Sequence, residues 1–249
     1  MMMPVALLLA CLFAADAGSA AERQACDIPG SLLFGTNELK QVAEAVTKDN
    51  KLTVAVVGTG SSILAGPEGP ASAYPARLEA ALKQRLPGTA VKVITLVRSR
   101  MSAEDMARGM AKLVADERPN LVIWQTGTLE AIRRIDPEDF RAALEEGVET
   151  LQKGGADVIL MNMQYSPRTD IMVALGPYAD NMRVVAQQHE VPLFDRLAIM
   201  RHWSDSGAFD LYAAGKDNVL AHRVHDCIGR GIAAMIIDAA HLRDRKAGQ

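Results

Sequence analysis

Short apolar runs alternate with segments of helical period along most of this chain. Thr53–Val57, Val91–Val97, Leu121–Thr126, Asp157–Met163 and Val191–Phe194 are rich in β-branched and other apolar residues and read as strands. Between them, apolar positions recur every three to four residues: Leu39/Val42/Val46, Leu78/Ala81/Leu82, Met106/Met110/Leu113 and Phe140/Leu144/Val148/Leu151, then Tyr178/Met182/Val185 and Ile228/Ile232/Met235/Ile236. Strands that are apolar throughout, separated by amphipathic helices, predict a parallel sheet covered on both faces. There is no long linker, internal repeat or low-complexity stretch, so the pattern predicts one doubly wound α/β domain. Ligands of such sheets bind beyond the carboxyl ends of the strands, and the residues that follow each strand are the ones to inspect.

The N-terminus reads as an address. Pro4 to Ala15 form an apolar run, followed by the small residues Gly18-Ser19-Ala20-Ala21, the pattern of a secretory signal too short to span a bilayer. Residues 1–21 are therefore expected to be a signal peptide and 22–249 a single exported domain, periplasmic or secreted, with no integral membrane segment after cleavage. Met1-Met2-Met3 brings no Lys or Arg to the signal, and the competing reading is an early start codon ahead of a cytosolic protein. Leu8-Leu9-Ala10-Cys11 also resembles a lipoprotein cleavage box. Export would leave Cys26 and Cys227, either paired across the two ends of the domain or held as buried thiols.

Composition narrows the function classes. The 249 residues are 49% hydrophobic with a formal net charge of −3, which excludes a disordered chain. No Lys/Arg block offers a surface for nucleic acid or an anionic membrane. Three cysteines without a CxxC pair exclude a disulfide-built scaffold.

After the first strand comes Gly58-Thr59-Gly60-Ser61-Ser62-Ile63-Leu64-Ala65-Gly66. A dinucleotide fingerprint would need a small residue where Ile63 stands, and a phosphate loop would need a Lys that is absent. A serine nucleophile at the sheet's edge and a plain turn with exposed serines both remain open on spacing alone.

The run Gly60–Gly66 resembles the first block of the SGNH/GDSL hydrolases, and Tyr74-Pro75-Ala76-Arg77-Leu78-Glu79 continues as in the helix after it. Leu121–Thr128 resembles the family's third block. Gln164-Tyr165-Ser166-Pro167 and Leu197–Trp203 are similar to segments of a bacterial exported branch of the family. The resemblance extends from about Cys26 to the last helix. It implies a flavodoxin-like three-layer α/β/α sandwich with a five-stranded parallel sheet in the order 2-1-3-4-5, and no cofactor. It further implies an acyl or acetyl ester of a small molecule, glycan or lipid as substrate, with Ser62 as nucleophile. Ser61 replaces the usual Asp, the backbone N–H groups of Ser62 and Ser99 would hold the oxyanion, and Gly60, Gly127 and Thr128 would line the pocket.

Two departures weaken that chemistry. Leu129 occupies the position of the third-block Asn, whose loss from an oxyanion hole costs about 10²–10³ in rate. Lys216 and Val219 stand where the family places its Asp and His, and neither supplies a base. The substitutes in the right region are His222 and His225, with Asp217 or Asp226 as orienter; otherwise the two histidines are surface residues of the helix N-terminus. Their spacing does not match a zinc site. Two functions follow: a serine esterase or deacetylase acting through a Ser62 acyl-enzyme, or a catalytically impaired relative that binds a carbohydrate or acylated ligand. Elsewhere, Trp124 and Gln125 read as core and turn. Arg98 and Arg100 read as flanking the pocket mouth or as solvated partners of Glu104 and Asp105. The methionines, Met161, Met163 and Met200 among them, read as core filler.

Overall fold

Residues 52–58 are buried without a break, as in a strand covered on both faces. They form most of β2 (Lys51–Gly58), which pairs in parallel with β3 (Ala90–Val97) on one side and β4 (Leu121–Gln125) on the other. Beyond β4 lie β5 (Asp157–Met161) and β6 (Leu193–Phe194), also parallel. The five run β3-β2-β4-β5-β6, the 2-1-3-4-5 order of a flavodoxin-like sheet. The computed structural model describes residues 26–34, 37–212 and 218–242. The signal segment, Cys11, Lys216 and Asp217 lie outside the described residues.

Strand bounds shift by one or two residues in β2, β3 and β4, and three further details differ from the sequence reading. A two-residue strand, β1 (Leu33–Phe34), pairs antiparallel with β6 and makes the sheet six-stranded. Two residues carry no periodicity to read. β5 ends at Met161 rather than Met163, and the next residue, Asn162, turns its side chain to the segment after β6, donating to Asp195 (2.6 Å) and accepting from the Leu197 N–H (2.9 Å). β6 is shorter than expected by Val191 and Pro192, and Pro192 has no N–H to give a ladder.

The helices fall into two groups that pack within themselves. α1 (Lys40–Lys48), α2 (Gly69–Ser72) and α3 (Tyr74–Arg85) precede β3, and the chain ends its described part in α11 (Val219–Ala239). Within this group α3 packs against α2 and α11, and the Leu39 N–H ahead of α1 bonds to the Ala239 carbonyl (3.0 Å). The second group holds α4 (Ala103–Ala107) and α5 (Met110–Glu117), then α6 (Thr128–Arg133), α7 (Pro137–Lys153), α8 (Pro167–Met172) and α9 (Gly176–Gln188). Here α4, α5 and α9 pack on α7. α10 (Arg196–Asp205) follows β6 directly. The core lies on both sides of the sheet, with Met161 and Met163 fully buried and Met200 nearly so.

Cys26 and Cys227 form a disulfide, 5.0 Å between their Cα atoms and 201 residues apart in the chain. Closing so long a loop stabilises the fold by up to about 5 kcal/mol through the unfolded state. Reduction, or Cys26→Ser, is expected to lower the melting temperature by roughly 10 °C or more, checked by thermal unfolding with and without reductant.

A cavity of about 480 Å³ lies at the amino ends of β5 and β6, away from the carboxyl edge where such folds bind ligands. Its lining includes Asp157, whose carboxylate accepts the Val42 N–H (2.9 Å) at the start of α1. Burial pushes the Asp157 carboxyl up to about 6, more than hydrogen bonds from Val42 and Gln41 and the charge of Lys40 pull it down. The folded state therefore binds this proton more tightly than the unfolded chain does. Asp157 costs stability above about pH 6, and the cost fades as pH falls towards 4. Asp157→Asn is expected to raise the melting temperature at pH 8 and leave it unchanged near pH 4.

Candidate functional site

The carboxyl ends of β2 and β4 bring Ser62 and Gln125 together. Ser62 closes a single 3₁₀ turn (Gly60–Ser62) after β2, and its own N–H bonds back to the Thr59 carbonyl (2.9 Å). Gly58 makes room for it: a Cβ there would sit 2.5 Å from Ser62 Oγ and 3.1 Å from Gln125 Oε1. Gln125 Oε1 accepts the Thr59 N–H (3.0 Å), which identifies that atom as the oxygen, since a backbone N–H needs an acceptor. Ser62 Oγ lies 3.0 Å from the same oxygen and must donate to it.

The other neighbour of Ser62 is the Tyr74 hydroxyl, at 2.9 Å. Ser62 has already given its proton to Gln125, so the phenol donates to Ser62 Oγ. Burial raises the Tyr74 pKa and keeps the phenol protonated, against weaker lowering by the Ser62 bond and the Arg196 charge. The result is a one-way chain, Tyr74 to Ser62 to Gln125, with all three side chains fully buried. Among the described residues no imidazole or carboxylate bonds to Ser62 Oγ. Nothing in the chain accepts the serine proton as a base does, and the lone pairs of Ser62 face a donor.

His225 sits nearby in a different role. Tyr74 opens α3, and the preceding Ala73 has no side chain able to cap the helix. Nδ1 of His225 supplies the cap from α11, accepting the Tyr74 N–H at 3.0 Å. The neutral ring then carries its proton on Nε2 and presents a donor there. A triad base needs the opposite: a lone pair aimed at the serine. Burial first, then the charges of Arg196 and His222, push the His225 pKa down to about 3.

The remaining sequence-derived candidates divide. Ser61 is in the site: its carbonyl and hydroxyl accept from Arg196 at 3.2 and 3.0 Å. Gly60 is beside Ser99, whose Oγ a Cβ at Gly60 would meet at 3.6 Å, and Ser99 is exposed at the rim. Gly127 holds φ +103°, and its N–H is taken by the buried Glu130 (3.0 Å). Thr128 Oγ1 is buried without a partner. His222 points away, into a cleft with Asp226 and Cys227, so the two histidines three residues apart do not converge on Ser62. Glu104 and Asp105 pair with Arg108, not with Arg98 or Arg100.

Sequence reasoning missed three members. Gln125 and Tyr74 looked like turn and helix residues, although Gln125 ends a strand, the position that fold rules single out. Arg196 was not considered, and it follows β6 directly. Its guanidinium is fully buried and, among the described residues, bonds to Ser61 alone, with Nε unpartnered. Burial lowers its pKa to about 10, so it remains a cation at neutral pH. The adjacent Asp195 is engaged instead by Arg183 (2.7 and 3.1 Å) and Asn162. Gln125 Nε2 is likewise buried and unpartnered.

A pocket of about 290 Å³ opens beside His225 on the carboxyl side of β5, lined by Gln164, Tyr165, Ser166, Met200 and Val224 among others. Among the described residues no group of three or more His, Cys, Asp or Glu side chains is placed to hold a metal ion.

Solved structures with this architecture include TesA, at 19% identity over 73% of this chain and 97% of that one, with a TM-score of 0.58. A catalytic mutant of Axe2, an acetylxylan esterase from Geobacillus stearothermophilus, matches at 18% identity over 74% and 94%, TM-score 0.59. LAE5, an alpha/beta hydrolase enzyme from the metagenome of Lake Arreo, Spain, matches at 22% over 76% and 95%, TM-score 0.57. At these identities the likeness is one of fold. No curated protein matches. The model of the Non-GDSL lipase-like family matches residues 25–242, nearly the whole described chain, and the protein belongs to that family.

Proposed function

We propose that this chain uses an ester-hydrolase fold to hold an acylated or carbohydrate ligand at the carboxyl edge of its sheet, without cleaving it through Ser62. One observation carries the reading: the Ser62 hydroxyl donates to a neutral amide oxygen and accepts from a phenol, and among the described residues no imidazole or carboxylate bonds to it. Without a base, a serine site retains only about 10³–10⁴ over water. The 290 Å³ pocket, which joins apolar Met200 and Val224 to polar Gln164, Ser166 and His225, supplies the room and polar anchors. The Cys26–Cys227 disulfide supports export to an oxidising compartment, periplasmic or secreted. No described helix is long and apolar enough to cross a membrane.

The family match and the place of Ser62 at the end of β2 favour a second reading, hydrolysis of an acyl or acetyl ester. Ser62 Oγ would attack the ester carbonyl and expel the alcohol, and water would then hydrolyse the acyl-serine to the free acid, regenerating the hydroxyl. This requires Tyr74 to withdraw and His225 or His222 to reach Ser62 Oγ as base, with Asp217 or Asp226 orienting the imidazole.

The readings separate cleanly by experiment. Wild type and Ser62→Ala are expected to show the same background with p-nitrophenyl acetate through octanoate, and neither is expected to react with a fluorophosphonate probe. Tyr74→Phe, which removes one buried hydrogen bond at a cost of about 1 kcal/mol, is expected to stay unlabelled because the base is still missing. Acetylated xylo-oligosaccharide should shift the His225 resonances and be recovered intact. Ser62-dependent turnover or labelling of the wild type would overturn the binding reading.

A further expectation concerns acid. His225 stays neutral in the folded chain down to about pH 3, whereas the unfolded chain protonates it below about 6.5. Its contribution to stability is intact above 6.5 and is lost as pH falls from there towards 3, by at most about 1.4 kcal/mol per pH unit. His225→Asn keeps an acceptor for the Tyr74 N–H and is expected to flatten that dependence in urea titrations between about pH 4.5 and 7.5.

A further inference from the structure

Beyond the site around Ser62, a different face of α11 borders a cleft against α3, and we propose that this cleft binds a phosphate-type oxyanion. The cleft encloses about 200 Å³ and is lined by Arg77 of α3 and by Arg223 and Arg230 of α11, with His222 alongside. Close helix contact brings these groups together. A Cβ at Gly229 would lie 2.7 Å from Arg77 Cβ and 2.8 Å from the Leu78 nitrogen, so a glycine is what lets α11 touch α3 there. Arg77 is thereby set beside the ridge His222, Asp226, Arg230, whose members are spaced four residues apart along one face. The Cys26–Cys227 disulfide closes a wall of the same cleft.

The charges in the cleft do not balance. Among the described lining residues Asp226 is the one carboxylate, and it is paired with Arg230 at 2.8 Å. Arg223 lies over the Phe209 ring, 5.2 Å from its centroid, with no carboxylate partner among the described residues. Arg77 has only a long 3.4 Å contact to Ser72 Oγ. The Nε atoms of Arg77 and Arg230 are buried and make no hydrogen bond. Two guanidinium groups without a carboxylate partner among the described residues, and a third with donors to spare, thus share one small cavity. A carboxylate presents two oxygens and suits a single guanidinium fork. A tetrahedral oxyanion offers three or four oxygens in different directions and can serve several forks at once. The ligand class is accordingly a phosphate or sulfate group, free or as an ester.

The test uses the full chain with its disulfide intact and inorganic phosphate as the probe, with sodium chloride and sodium acetate at matched ionic strength as references. Phosphate is expected to raise the melting temperature saturably, beyond either reference, as a ligand of the folded state must. Arg223→Gln, at an exposed position that leaves folding alone, is expected to raise the half-saturating concentration about tenfold, and Arg77→Gln to do the same. Glycerol phosphate and a sulfated monosaccharide then show which ester supplies the group, binding of either one supporting the site. An equal rise with chloride or acetate, or a half-saturation that neither variant changes, would overturn the proposal. Because the readout is stability and not ester turnover, failure here leaves the reading of Ser62 untouched.

Discussion

The bond from the Tyr74 N–H to Nδ1 of His225 joins the first turn of α3 to α11, and both sites of this protein are built on that junction. α3 begins without a local cap, so its first N–H must find an acceptor elsewhere. The imidazole that provides it is fixed in one tautomer and held close against the helix. Tyr74 is thereby placed with its hydroxyl on Ser62, and three residues later Arg77 is placed over the ridge of α11. Gly229 and the disulfide keep the two helices at contact distance. A histidine that looks from its sequence position like a spare catalytic base is, in the folded chain, a helix cap.

Around this junction lies an unusual concentration of buried polarity. Ser62, Gln125 and Arg196 are all fully buried at the carboxyl ends of the strands. Most of their hydrogen-bonding capacity is met internally, each bond contributing about 1 kcal/mol net. Gln125 Nε2 is buried without a partner, and Arg196 is a buried cation answered, among the described residues, by the carbonyl and hydroxyl of Ser61 alone. A charge without a buried counter-charge costs several kcal/mol, and the fold tolerates it where ligands bind in sheets of this kind. The same field that Arg196 exerts helps keep His225 neutral. An environment that opposes a second positive charge is a poor place for an imidazolium to form during catalysis.

A family match and a shared fold do not by themselves fix the chemistry of a site. The chain belongs to the Non-GDSL lipase-like family and has a serine at the turn after β2. Among the described residues, a phenol and an amide are the side-chain groups that bond to its hydroxyl. What the site can do follows from those groups and not from the fold alone.

Much of the fold was legible in the chain, because burial on both faces of a parallel sheet writes continuous apolar runs such as Leu52–Val57, and helix faces write their period as at Phe140, Leu144, Val148 and Leu151. β1 escaped because two residues have no period, and β5 ends before Asn162, whose side chain has its partners in a distant segment. The sequence also narrowed the site to the turn holding Ser61 and Ser62. It could not assign the partners, since the contacts from Ser62 to Tyr74 and Gln125 span 12 and 63 residues and that from His225 to Tyr74 spans 151. Residue types and local periods follow from short-range sterics and hydrophobic burial, which the chain itself records. Which hydroxyl meets which imidazole depends on how α3 and α11 settle against each other, and only the packed tertiary structure decides that.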